Sequence, residues 1–219
     1  MKGKGMVVTK DAMNEDIDSL NLLAGYLCLD FVNTVDPRLG DEPRDYLCNY
    51  FDLLAWSRRA NILSRTTFER LQREAERHPG KAKETFLKAI HLREAMYEIF
   101  ARQVEAKGKP RSGLTVLNSF LSEVPPRIKL LQNNQGFVWE PPREGSDLTQ
   151  IMWPIVWSAA DLLVMNEFRA VKMCQGVKCG WLFLDKSRSG NRSWCNMKGC
   201  GNRAKASRFY KRTKRQRKK

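Results

Sequence analysis

Apolar residues recur along the first third of the chain at intervals of three and four. Leu20, Leu23, Leu27 and Phe31 form one such series, which predicts a helix from Leu20 to about Val35. The loop VDPRLGDEP follows, rich in Pro, Gly and Asp. Asn49 stands as an N-cap before FDLLAWSRRA, and Ser64 as an N-cap before a helix running to about Arg77. HPG (78–80) breaks the pattern. The longest helix is predicted from Lys81 to Lys107, with Phe86, Ile90, Arg93, Tyr97, Phe100 and Val104 along one face. Ser112 opens a shorter helix that ends at Val124, Pro125 and Pro126. RIKLLQ and FVWE flank NNQG and read as a hairpin. Ser146 or Asp147 caps a further helix to about Asn166, kinked or restarted at Pro154. These elements predict a mainly α body with one small β-hairpin over residues 17–167, behind a disordered stretch at 1–16.

The periodicity changes after residue 167. AVKMC reads as a strand, and WLFLDKSRSGNRSW reads as strand, turn and strand with SRSGN as the turn. GNRAKASRFYKR then has helix composition. Four cysteines punctuate this segment as Cys174-x4-Cys179-x15-Cys195-x4-Cys200. Two close pairs separated by a hairpin-sized insert suit a tetrahedral site of four thiolates, the preferred structural site for Zn2+. Knuckle, hairpin and helix in that order predict a treble-clef-like zinc finger over 168–212, with a basic tail at 213–219. The alternatives are two disulfides or unrelated buried thiols. A reducing cytosol opposes the first, and the paired spacing opposes the second. Four thiolates around one divalent ion leave a charge of about −2, which Arg203 and Lys205 are placed to offset. With every position filled by sulfur, such an ion would fold the module and leave no site for water or substrate.

Charge sharpens the picture. Of the 39 Lys and Arg, 14 lie between Lys186 and Lys219, where there is no acid; the other 185 residues hold 25 basic and 24 acidic side chains. A near-neutral body with a cationic end points to a polyanionic partner, with a solvated tail as the plain alternative. Lys205, Arg208, Arg212 and Arg215 share a helical face, and Lys211 adds to the same block. Such groups suit phosphates, and arginine also reads guanine edges. Ala206, Phe209 and Tyr210 are expected to pack the other side of the helix onto the hairpin, and KRQRKK to form a flexible arm. The start of the chain is polar and has no apolar run of signal length. IMWPIVWSAADLLVM is short for a membrane span and contains Pro154 and Asp161. The expectation is a cytoplasmic protein, nucleoid-associated when on DNA, with no membrane partner.

WLFLDKSRSGNRSWCNMKGCGNRAK resembles the CGNR zinc finger, whose name string is here Cys200, Gly201, Asn202 and Arg203. LCLDFVNT (27–34) and YFDLLAWSRRANILS (50–64) resemble the helical ABATE domain that accompanies it. Together the likeness covers roughly residues 18–212. It implies a bacterial, stress-responsive transcription regulator whose finger binds double-stranded DNA, with Cys174, Cys179, Cys195 and Cys200 as zinc ligands.

Asp30, Asn33 and Thr34 fall in the first of those body motifs, and Arg93 interrupts the apolar stripe of the long helix. A lone buried charge is expensive, so Arg93 needs a partner. One reading is a structural pair, for instance with Asp30, or a side chain that snorkels to solvent. The other is a pocket in which Arg93 holds a small anionic ligand that Asn33 and Thr34 orient. His78 and His91, the two histidines, sit in no nucleophile motif. Cys28 and Cys48 read as buried small hydrophobes, and Trp56, Trp153 and Trp157 as core. The leading expectation is a non-enzymatic DNA-binding regulator whose helical body senses a small ligand. An RNA- or ribosome-binding zinc protein is the alternative within the binding class. An enzyme is the alternative from another class, with only Asp30 and Arg93 as candidate groups. No coiled-coil heptad run marks an oligomer.

Overall fold

The computed structural model describes residues 15–106, 108, 110–133, 136–140 and 147–216. The disordered stretch expected at 1–16 falls almost wholly outside these residues, as do Ser146 and the last three positions of the tail. The side chains of Glu15, Asp16, Asn133 and Arg215 are likewise outside the description.

A 3₁₀ turn at Glu15–Ser19 leads into α1 (Leu27–Val32). The helix expected from Leu20 is therefore much shorter. Gly25 takes φ +81°, and Asp30 Oδ1 accepts the Ala24 N–H at 2.9 Å, so the chain turns before α1 instead of helixing through it. The Ala24 carbonyl is then free to accept from Leu184 N at 2.7 Å. A tertiary contact has overridden a local periodicity. The short strands β1 (Val35–Asp36) and β2 (Arg44–Asp45) pair antiparallel across the predicted loop.

The helices α2 (Tyr50–Arg59) and α3 (Arg65–Arg77) start where capping chemistry places them. Asn49 accepts from Phe51 N and Asp52 N at 2.8 and 3.1 Å, and Ser64 Oγ accepts from Thr67 N at 3.1 Å. Buried Asp52 in turn accepts from Cys48 N, one residue before the N-cap, at 2.8 Å. The long helix α4 (Pro79–Val104) begins with proline in its first turn, and α5 (Arg111–Glu123) packs back against it. Their approach requires Gly113, since a Cβ there would lie 2.7 Å from the Ala95 carbonyl. The hairpin forms as expected, from β3 (Leu130–Asn133) and β4 (Gly136–Trp139). Asp147 caps a 3₁₀ turn at Leu148–Met152, and α6 (Trp153–Val164) restarts with Pro154 in its first turn.

The core is continuous. Trp56, Phe31 and Phe100 are fully buried, with the Phe31 and Trp56 ring centroids 5.1 Å apart. Phe183, from the cysteine-bearing segment, belongs to the same cluster. Burying aromatic surface of this size supplies the main driving force for folding. Of the two cysteines outside the cluster, Cys28 is buried as expected, and burial pushes its thiol up to about 12. Cys48 is exposed instead, because it sits on the turn just before Asn49.

The last third contains β5 (Val171–Met173), β6 (Leu182–Leu184) and α7 (Asn202–Gln216), with a π turn at Met197–Gly201. β5 pairs with β6, so the hairpin straddles the first cysteine pair. The strand expected after SRSGN does not form. Its place is taken by a loop wound around the Asp185 carboxylate, which accepts from Ser187 N, Ser187 Oγ, Arg192 N and Lys172 Nζ. α7 continues to Gln216, past the point where the flexible arm was expected to begin. Among the described residues, no helix is long and apolar enough to cross a membrane.

Candidate metal centre and nucleic-acid interface

Cys174 follows β5, Cys179 precedes β6, Cys195 precedes the turn that opens into α7, and Cys200 lies within it. The four sulfurs lie within 4.8 Å of one another, and all four residues are buried. Cys179 and Cys195 sulfurs are 3.8 Å apart, as are those of Cys195 and Cys200. Four sulfurs at about 2.3 Å from a central Zn2+ in a tetrahedron would stand about 3.8 Å from each other. The donor set therefore fits Zn2+ in both chemistry and size. Without a cation the packed thiols cannot all ionise together: hydrogen bonds with Cys179 and Cys195 hold Cys174 well below the ordinary thiol range at the expense of its neighbours. The hydrogen bond with Cys174, together with burial, pushes the Cys195 thiol up to about 12. A divalent ion removes that resistance and fixes the two knuckles together.

The surroundings hold the sulfurs in place. Gly176 N points at Cys174 Sγ at 3.4 Å, and a Cβ at that glycine would come within 2.9 Å of Cys200 Sγ. Arg203 donates to Cys200 Sγ at 3.2 Å, which raises its own pKa, and it also offsets thiolate charge. Arg192 donates from Nε to the Trp194 carbonyl at 2.8 Å, hydrogen-bonds the Cys195 carbonyl, and lies 4.4 Å over the Phe183 ring. Asp185 anchors the loop between the two cysteine pairs. Its burial would raise the carboxyl, but the Lys172 ion pair and the N–H and O–H donors carry it well below the ordinary range.

The candidate body residues face this module. Asn33 donates to the Leu182 carbonyl at 2.8 Å and accepts from Leu182 N at 3.0 Å, so its amide acts as an extra strand residue beside β6. Trp181 Nε1 donates to Val35 O at 2.8 Å. Arg38 N and Leu39 N donate to the carbonyls of Cys179 and Lys178 at 2.8 and 3.0 Å. Gly180, at φ +68°, brings its backbone so close that a Cβ would lie 2.5 Å from Leu39. The LCLDFVNT motif and the loop after it thus form the seat of the cysteine module.

Arg93 is 3 % exposed. Its partner is Asp45 rather than Asp30: NH1 and NH2 donate to the two carboxylate oxygens at 2.7 and 2.6 Å. Nε donates to Glu94 at 2.9 Å and NH1 to Thr34 Oγ1 at 3.0 Å, while Thr34 donates to the Phe31 carbonyl. Burial alone would lower the Arg93 pKa, but these acids raise it above its ordinary value. Asp30 is apart from this group, at the start of α1. Burial raises its carboxyl to about 6. Asp30, Asn33, Thr34 and Arg93 are each bonded within the protein. A cavity of about 340 Å³ lies elsewhere, between Tyr26, Trp139, Trp157 and the Arg127–Asp161 ion pair. Trp157 lines it and is only half-buried, while Trp56 is core as expected.

Sequence reasoning missed Asp45, Glu94 and Asp185. The last had a signal: an Asp before Ser and Gly in DKSRSGN is a loop-organising pattern. Nothing in the spacing of Asp45 and Arg93 announces their pairing.

From the π turn onward the chain leaves the body. Lys205, Arg208, Lys211 and Arg212 are exposed along α7. Arg208 rests 5.8 Å over Trp194 and Arg212 lies 6.0 Å from Phe209. Phe209 and Tyr210, expected to pack onto the hairpin, are 57 % and 73 % exposed. The hairpin faces the body core instead, and no layer remains for the helix to cover.

Comparison with known families gives two matches in chain order. ABATE, described as "Putative stress-induced transcription regulator", matches residues 25–166, and the CGNR zinc finger matches residues 170–213. These are a regulator family and a zinc-finger family rather than enzyme families. No curated protein matched the chain. With well over half of its length matched by the first of these families, the chain belongs to the ABATE family and carries a CGNR zinc finger behind that region.

Proposed function

We propose that the protein is a transcription regulator that binds double-stranded DNA through α7, with Zn2+ on Cys174, Cys179, Cys195 and Cys200 holding the helix in place. The observation that carries this reading is the geometry of α7: an acid-free, exposed cationic helix whose first residues are clamped to the cysteine cluster. Lys205, Arg208, Lys211 and Arg212 supply phosphate contacts, and Arg203 divides its charge between the sulfurs and the partner. The ion would do no chemistry, since four thiolates leave no coordination position open. The body sets the direction of the helix through the seat described above.

The test is fluorescence anisotropy of the full, zinc-loaded chain with duplex DNA and with structured RNA, across salt. Tighter duplex binding with a slope of several released counterions, lost when zinc is chelated, supports the reading. Tighter RNA binding moves the protein to the RNA-binding class. Binding indifferent to chelation removes the role given to zinc.

A further inference from the structure

At about 100° per residue, the side chains of α7 sort into bands. Ala206, Phe209, Tyr210 and Thr213 fall in one band roughly 100° wide. Lys205 and Arg212 border it on one side, and Arg203 and Lys214 on the other. Ala206, Phe209 and Tyr210 are exposed and Thr213 is half-buried; half-buried Ala204 and Arg208, which rests over Trp194, mark the side towards the rest of the protein, nearly opposite the centre of the band. The band therefore looks outward. Its two aromatic rings touch edge to face, with centroids 6.2 Å apart and planes at 73°. Thr213 spends its hydroxyl on the Phe209 carbonyl at 3.1 Å, leaving little polar character along the middle of the band.

An apolar strip between two cationic rails has a counterpart in the major groove. A helix about 10–12 Å across enters a groove about 12 Å wide, with a phosphate backbone on each flank. The apolar groups on the groove floor are the C5-methyl groups of thymine. A solvated cationic face would have no use for exposed aromatic rings. A helix that touched phosphates alone would gain nothing from keeping its apolar side outermost.

We infer that Ala206, Phe209, Tyr210 and Thr213 form the base-reading face of α7 and recognise thymine methyl groups in the major groove, while the flanking Lys and Arg side chains hold the two backbones. This rests on the DNA-binding reading above, adds a base preference to it, and narrows its phosphate contacts to the two rails, since Arg208 and Lys211 lie on the far side of the helix. Phe209, nearest the Lys205–Arg212 rail, is the main specificity-determining residue.

The experiment uses the full zinc-loaded chain and three duplexes of equal length: alternating dA–dT, the same duplex with deoxyuridine for thymidine, and alternating dG–dC. Deoxyuridine removes the methyl and leaves the Watson–Crick pairing in place. The expected result is binding to dA–dT that weakens about fourfold for each contacted methyl removed, the factor matching about 0.8 kcal/mol per buried methyl-sized group. Placing 5-methylcytosine in the dG–dC duplex restores a methyl at the same groove position and should strengthen binding. Phe209→Ala should erase the difference between thymidine and deoxyuridine while keeping the salt slope. Lys205→Gln with Arg212→Gln should keep the difference and lower the slope by about two. Equal affinity for the thymidine and deoxyuridine duplexes overturns this inference alone. Failure to bind any of the duplexes overturns the DNA-binding reading beneath it.

Discussion

Arg93 and Arg212 carry the same guanidinium and live in opposite surroundings. Arg93 is sunk at the junction of α1, β2 and α4, with Asp45, Glu94 and Thr34 on its donors. Arg212 stands on an exposed helix, and among the described residues no acid forms a salt bridge to it. The first charge is consumed by the fold; the second is left for something outside it. The acids follow the same division, for the body is nearly neutral and the segment from Lys186 onward has none. A charge that is paired internally reports on stability, whereas an unpaired one reports on partners.

Five measurements would break or sharpen that contrast. The largest effect is expected from the metal. Chelation, or Cys195→Ser, should unfold the cysteine module, since structural zinc contributes on the order of 10 kcal/mol to such modules. Thermal melts should show loss of the cooperative transition shared with Phe183, and α7 should lose helical signal. Next, Arg93→Ala should cost about 2–4 kcal/mol, below the cost for a wholly buried pair because Asp45 keeps some solvent. Denaturant unfolding measures it, and a neutral result would show that the pair is ornamental. Asp185→Ala should cost about 2–3 kcal/mol by orphaning several donors at once. The Asp185 carboxyl is held low in the folded state, so its contribution is complete above the ordinary carboxylate range and fades as pH falls below it.

Asp30→Asn should act in the other direction. The folded carboxyl, raised to about 6, keeps its proton to a higher pH than the unfolded one. Between about pH 4 and 6 the folded state binds more protons, so stability falls as pH rises through that window. The amide keeps an acceptor for Ala24 N–H and should add about 1 kcal/mol at pH 7, after allowing for partial solvation, and nothing at pH 4. A pH-independent effect would rule out the burial of charge as its cause. The smallest stability effect belongs to α7. Lys205→Gln and Arg212→Gln should leave the unfolding free energy within about half a kcal/mol of the starting protein while weakening polyanion binding. A marked loss of stability would mean that these charges are structural after all.

The comparison also explains what could be read from the sequence. Helix starts at Asn49 and Ser64, the restart at Pro154, the NNQG hairpin and the cysteine quartet are local signals, written in a few adjacent residues. The first helix was overestimated because Leu20 and Leu23 share the spacing of Leu27 and Phe31, while the force that unwinds them is the distant Leu184. The strand expected after SRSGN is absent because Asp185 offers the backbone there a better set of bonds. The sequence marks Asn33 as a motif residue able to orient a ligand and Arg93 as a charge that needs a partner. Their partners, Leu182 and Asp45, lie 149 and 48 residues away in sequence, where spacing carries no information. The outward turn of Phe209 and Tyr210 was illegible for a related reason, since packing depends on whether a layer exists to receive them.

The seam formed by Asn33, Val35, Arg38 and Leu39 against Cys179 to Leu182 has a mechanical consequence. It ties the two halves through bonds that do not depend on the covalent link near Asn166. Any tilt of the body would therefore be passed on as a tilt of the outermost helix, whatever the length of the tether.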